Sequence, residues 1–243
     1  MFGTRTCVKT LALIGSILWG ASVIAAEKNN CGTNGLNVKD FRLSAWKSGN
    51  FGGSACRKYN ENSGSWMWLT LKVNAGGYDA GIARRGGSKR VDSISTNKHM
   101  HAKVKLNNIG GGEHYWVGPK VAISKTSSYQ GLDGNHECYI IDKSDRGPSA
   151  FVSWAGLTYK GQSSHNGSTY KHYTRKFGKI NQVFSIRQNY RNGGWTHVGA
   201  ILKKWRDLGI VPNNYAFQWK YNVETSNRIY GGIGISDVRA PKH

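Results

Sequence analysis

The chain has 243 residues, 34 of them Lys or Arg against 13 Asp or Glu, for a formal net charge of +21 at pH 7. A charge of that size implies a polyanionic partner or working surface, or, more plainly, a solvated basic exterior in a phosphate- and carboxylate-rich cell envelope. With 32 Gly, 12 Tyr and 9 Trp and little Leu or Glu, the composition leaves small room for helix. It argues for many short strands joined by glycine turns, an all-β sandwich or barrel in one domain spanning residues 27–243.

Residues 1–26, "MFGTRTCVKTLALIGSILWGASVIAA", carry Arg5 and Lys9 ahead of an apolar run from Leu11 to Ile24 that ends in small residues. This is the pattern of a secretory signal peptide, and the run is too short and too weakly flanked for a stable membrane span. Export to the periplasm or the medium is expected. Loss of Arg5 and Lys9 with the signal takes the charge from +21 to +19. Cys7 leaves as well, so Cys31, Cys56 and Cys138 remain. Cys31 and Cys56 lie in polar, glycine-rich surroundings that suit a disulfide in an oxidising compartment. Cys138 is expected to be a free, buried thiol.

Residues 27–64 read as a looser N-terminal extension laid over the sheet. His99 and His101, two apart in "KHMHAK", share one strand face; without a clear third ligand the expectation is an exposed polar strand and no metal. "GGGEHYWVG" (110–118) reads either as a binding loop with Tyr115 and Trp116 as sugar platforms or as a segment sending Trp116 into the core. "HECYIID" (136–142) reads as a strand with Glu137, Tyr139 and Ile141 on one face and Cys138 and Ile140 on the other. A carboxylate facing inward there costs several kcal/mol unless a partner or a wet cleft receives it.

"VFSIRQNY" (183–190) reads as a strand ending in a turn. "THVGAILKKWRDLG" (196–209) is the one amphipathic helix, with Val198, Ile201, Leu202, Trp205 and Leu208 at helical spacing, Thr196 as N-cap and Gly209 beyond the C-terminus. "YAFQWKYNVE" (215–224) puts Trp219, Tyr221 and Val223 on one strand face and Gln218, Lys220, Asn222 and Glu224 on the other. "GGIGISDV" (231–238) is the last strand.

The order of these elements resembles the family 11 glycoside hydrolases, small endo-β-1,4-xylanases with a curved β-jelly-roll sandwich and a single helix. "ECYIID" is similar to the family's nucleophile strand, "GSTYKHYTRK" (167–176) to its G-(S/T)-x-Y-D-I-Y strand, and "FSIRQ" (184–188) to its W-S-V-R-(Q/R). The resemblance covers about residues 130–238. It implies Glu137 as nucleophile and Glu224 as general acid/base, with Arg187 and Tyr139 holding the nucleophile and the sugar, Gln218 at the family's glutamine position, and no cofactor. A retaining glycosidase needs two carboxyl groups about 5–5.5 Å apart across a cleft, one ionised and one protonated.

Departures from the family bear on the substrate. "KFGKIN" (176–181) makes only a tight turn where the family has a long thumb, so a more open cleft is expected. Phe184, Lys171 and Cys138 replace family residues. The run from Gln218 to Glu224 is one residue longer, which requires a bulge if Glu224 is to face inward. The basic charge favours a glycan bearing uronate, sulfate or phosphate. The sequence therefore supports a monomeric, exported endo-glycosidase acting on a neutral or anionic polysaccharide, or a non-catalytic binding module of the same fold. Convergence of Glu137 and Glu224 across an open groove favours the first; a lysine locking either favours the second. Esterase, nucleotide and nucleic-acid functions have no motif in their support.

Overall fold

The strand Met67–Ala75, "MWLTLKVNA", shows how the sequence builds this fold: Met67, Leu69, Leu71 and Val73 are buried while Thr70, Lys72 and Asn74 face water. That two-residue period commits each strand to one inner and one outer face. The computed structural model describes residues 27–111, 114–126 and 136–241, except the side chains of Phe217 and Gln218. The expected signal peptide lies outside the described residues.

In chain order the strands are β1 (Glu27–Asn30), β2 (Leu36–Val38), β3 (Phe41–Lys47), β4 (Gly52–Asn60), β5 (Met67–Ala75), β6 (Gly77–Arg84), β7 (Lys89–Arg90), β8 (Met100–Gly110) and β9 (Tyr115–Ser124). There follow β10 (His136–Ile141), β11 (Lys143–Ser144), α1 (Pro148–Ala155), β12 (Thr158–His165), β13 (Ser168–Phe177), β14 (Ile180–Arg187), β15 (Gly193–Thr196), α2 (Val198–Asp207), β16 (Tyr215–Ser226) and β17 (Ile229–Arg239). A six-stranded sheet has the order β1-β4-β5-β17-β8-β15. An eleven-stranded sheet has the order β12-β13-β14-β10-β9-β16-β6-β3-β2, with β11 and β7 attached to β9 and β16. The fold is the jelly-roll sandwich that the resemblance implied.

Between the sheets, Leu69, Leu71, Ile233 and Ile235 meet Val117, Cys138, Ile140, Tyr221 and Val223 in the main core, with Ile201, Leu202 and Trp205 of α2 joining it. Each such aliphatic side chain contributes about 1.5–3 kcal/mol on burial. Cys31 and Cys56 form the expected disulfide, and Cys138 is free and fully buried.

Three expectations change. Residues 27–64 are no loose extension: β1 and β4 pair in the smaller sheet and β2 and β3 in the larger. Arg57, fully buried, ties this region together by donating to Leu43 O, Gly32 O, Asn34 O and Asn30 Oδ1. Thr196 is no N-cap. It ends β15 and donates to Asp142 Oδ2 at 2.9 Å, while His197 caps α2 without a side-chain bond.

Third, α2 is not the single helix. α1, "PSAFVSWA", begins with Pro148 at N1 and ends at Gly156 in the left-handed region, φ 61°, both ordinary helix-end signals. Phe151 and Ala155 pack on Trp116, Tyr139, Phe184 and Ile186 in a second, smaller core. That core lies on the face of the larger sheet turned away from the other sheet.

The turn between β13 and β14 is as tight as expected. Phe177 pairs with Ile180 around Gly178 and Lys179, with Gly178 at φ 57°. The groove is nevertheless not simply more open, because α1 roofs its Tyr139 and Phe184 side.

Candidate active site

Strand register decides which side chains share the free face of the larger sheet. β10 runs parallel to β14, with Glu137 opposite Gln182 and Tyr139 opposite Phe184, and antiparallel to β9, with Tyr139 opposite Lys120. On the far side of β9, β16 sets Lys220 opposite Lys120 and Glu224 opposite Trp116. β6 then sets Asp79 opposite Glu224, and β3 sets Trp46 opposite Asp79. The extra residue in β16 is absorbed by a bulge between Phe217 and Lys220. Trp219, Tyr221 and Val223 therefore enter the core while Glu224 faces the groove.

The two glutamates converge on one nitrogen. Lys120 Nζ lies 3.5 Å from Glu137 Oε1 and 3.4 Å from Glu224 Oε2. The nearest carboxyl oxygens are thus at most about 7 Å apart, a bound that includes the separation of a retaining pair. Lys120 is held most closely by Asp79, at 2.9 Å, and Asp79 also takes Lys220 at 2.5 Å and Asn222 Nδ2 at 3.2 Å.

Glu137 Oε2 accepts from Tyr139 OH and from Gln182 Nε2, each at 2.9 Å. Gln182 is itself oriented by Arg175, whose Nε donates to Oε1 at 2.6 Å. Burial pushes the Glu137 carboxyl up, but the Lys120 charge and these two hydrogen bonds outweigh it, so its pKa falls below the ordinary value. Glu224 goes the other way. Burial dominates, the charges of Asp79 and Glu137 add to it against Lys120 and Lys220, and its pKa rises to about 7. Lys120 keeps its proton: burial opposes the charge, but Asp79, Glu224, Tyr139 and Glu137 raise its pKa well above that of a free lysine.

The expected site residues fare differently. Glu137, Tyr139 and Glu224 are brought together. Arg187 is not with them: it donates to Tyr170 OH and Asn189 O, both at 2.8 Å, and lies 3.9 Å from Asp142. The reason is register, because Gln182 is the β14 residue beside Glu137. Arg187 is five positions on, about 16 Å along the strand, and on the opposite face. Trp116 is 6% exposed and belongs to the smaller core beside α1, yet its indole Nε1 finds no partner among the described residues. The Gln218 side chain lies outside the described residues. His101 Nδ1 meets Asp237 O at 3.0 Å and the His99 ring lies 4.1 Å from that of His197. Among the described residues no group of three or more His, Cys, Asp or Glu side chains could hold a metal ion.

Sequence reasoning missed Asp79, Lys120, Gln182, Arg175 and Trp46. Trp46, 57% exposed at the edge of the groove, could have been suspected from its polar neighbours in "FRLSAWKSGN". Asp79 and Lys120 sit in strands whose local sequence says nothing of one another.

No protein-family model matches this sequence, and no curated protein matches it. Solved structures do. A mutant of the ENZbleach xylanase with two introduced cysteines shares 17% identity over 89% of this chain and 85% of its own, with a TM-score of 0.68. The wild-type ENZbleach xylanase shares 16% over 90% and 88%, with a TM-score of 0.66. A thermostable cellulase derived from the Cel12A cellulase of Rhodothermus marinus shares 12% over 89% and 99%, also at 0.66. This chain accordingly has the fold of these xylanase and cellulase structures along most of its length.

Proposed function

We propose that the exported protein is a glycoside hydrolase that cleaves within a β-linked polysaccharide with retention of configuration. One observation carries this reading: two groove carboxyls flank a single point, one held ionised and the other with a pKa raised to about 7. Environments that push two carboxyl pKa values apart assign a nucleophile and an acid/base.

Glu137 Oε2 is occupied by Tyr139 and Gln182, which leaves Oε1 to attack the anomeric carbon. As that C–O bond forms, the glycosidic C–O bond breaks and the Glu224 proton goes to the departing oxygen. Glu224, now ionised, takes a proton from water, which attacks the same carbon and releases Glu137. Lys120 must leave the axis between the carboxyls, and Asp79, its closest partner, offers it a place aside. Trp46 supplies an exposed ring for a sugar beside Glu224.

A second reading, a binding module for an anionic glycan or cell-envelope polymer, draws on Lys120 standing between the glutamates and on α1 covering part of the groove. Incubation of the purified protein with neutral and acidic β-linked polysaccharides, assayed for new reducing ends, separates the two. Hydrolysis of at least one polymer is the expected result; retention of polymer without cleavage of any supports the binding module.

A further inference from the structure

The outward face of the six-stranded sheet carries an aromatic surface that the groove does not explain. In register across four strands stand Lys58 on β4, Trp68 on β5, Gly234 on β17 and Lys105 on β8. The Trp68 indole lies across Gly232 and Gly234: a Cβ on Gly234 would stand 2.7 Å from Cε3, and one on Gly232 2.8 Å from Cε2. Only glycines at these two outward positions let the ring lie flat on the strand. Tyr230 repeats the arrangement over Gly110, where a Cβ would meet its ring at 2.5–2.7 Å, and it is 57% exposed. The Tyr230 ring is thus open to solvent and the Trp68 ring partly so.

Lysines surround these rings. Lys58 is paired with Glu27 and Lys103 lies 3.8 Å from Asp237. Lys72 and Lys105 are exposed and make no ion pair among the described residues. We propose that this face is a second binding surface, on the opposite side of the molecule from Glu137 and Glu224, for a linear acidic polysaccharide. Pyranose rings stack on Trp68 and Tyr230, and uronate or sulfate groups meet Lys72 and Lys105. Flat aromatic rings flanked by cations also suit single-stranded nucleic acid, so an oligonucleotide is the competing ligand in the test. The disulfide, anchored on β4 of the same sheet, fits an oxidising compartment in which such glycans are met.

The test is affinity electrophoresis at low and high salt with polygalacturonate, neutral xylan and a single-stranded oligonucleotide. It uses the wild type, the double variant Lys72→Glu/Lys105→Glu, Trp68→Ala and Glu137→Ala, with melting curves on each. The wild type and Glu137→Ala should bind polygalacturonate alike. The charge-reversed variant should lose about tenfold or more and much of its salt dependence, and Trp68→Ala should lose affinity for both glycans. If Trp68→Ala fails to fold, the charge-reversed variant decides alone. Unchanged affinity in the folded charge-reversed variant, or oligonucleotide binding as tight as polygalacturonate binding and indifferent to Trp68, overturns the proposal. Because the surface lies apart from the groove, loss of binding in these variants with hydrolysis of short soluble substrates intact supports the proposal, whereas unchanged binding counts against this proposal alone and leaves the reading of the groove untouched.

Discussion

Lys120→Met keeps the shape of the side chain and removes the charge between Glu137 and Glu224. A unit charge 3.4 Å from Glu224 Oε2 contributes about 1.2 kcal/mol in a water-like medium and about 5 kcal/mol at an effective dielectric of 20. At 1.36 kcal/mol per unit, that is a shift of about one to three and a half pKa units. Removal of a cation makes each carboxylate harder to form, so both pKa values must rise. Glu224 should titrate at least about one unit above its value of about 7, and Glu137 should climb from below the ordinary glutamate value. Carbon-13 labelling of the glutamate carboxyls, with titration by NMR and assignment by Glu137→Gln and Glu224→Gln, reads both directly and without a substrate. The variant should also lose more stability at pH 8 than at pH 4, where the stranded carboxyls take up protons. A Glu224 midpoint that stays put or falls would refute the electrostatic account of the groove.

Other predictions follow from the same physics. Glu224 has a folded pKa near 7 against an ordinary value of 4.5, so its ionisation costs stability that accrues as pH rises between them; Glu224→Gln should raise stability at pH 8 by up to about 3 kcal/mol and do little at pH 4, measured by urea unfolding. His172, fully buried between Ser163 and Ser185, has its pKa lowered to about 4 by burial, with Lys204 and His165 adding to it. Its neutral form is stabilising above 6.5, and about 3 kcal/mol should be lost as pH falls from 6.5 to 4; His172→Asn should flatten that part of the stability–pH curve. Reduction of Cys31–Cys56, which closes a separation of 25 residues, should cost about 3 kcal/mol by the chain-entropy argument. Mass mapping without reductant should find Cys138 unpaired, and alkylation of Cys138 should await unfolding.

Much of the groove was legible because its strands alternate. The faces of β10 and β16 follow from Cys138, Ile140, Tyr221 and Val223 seeking the core, and the bulge follows from one extra residue before Glu224. The rest depends on register between distant strands. Lys120 lies 41 residues from Asp79 and 104 from Glu224, and no local pattern announces that all three share one point. Arg187 was misplaced for the same reason, since a family motif fixes neither the face nor the step at which β14 meets β10. α1 escaped notice because two turns containing Phe151, Val152 and Trp154 have little intrinsic helical preference. Its stability comes from packing Phe151 on Trp116 and Phe184, at ring distances of 5.8 and 6.2 Å. β1 and β2 are only four and three residues long, and the buried Arg57 network that organises the region from β1 to β4 has no sequence signature.

The most direct test of the retaining pair is release of reducing ends from β-linked polysaccharides by the wild type and by Glu137→Ala, with a melting curve for each sample. The account predicts cleavage of at least one polymer by the wild type and none by a folded Glu137→Ala, because no covalent intermediate can form without that carboxylate. Continued cleavage by the folded variant would contradict the role of Glu137. No cleavage by a wild-type protein that binds the polymers would contradict the glycosidase reading itself.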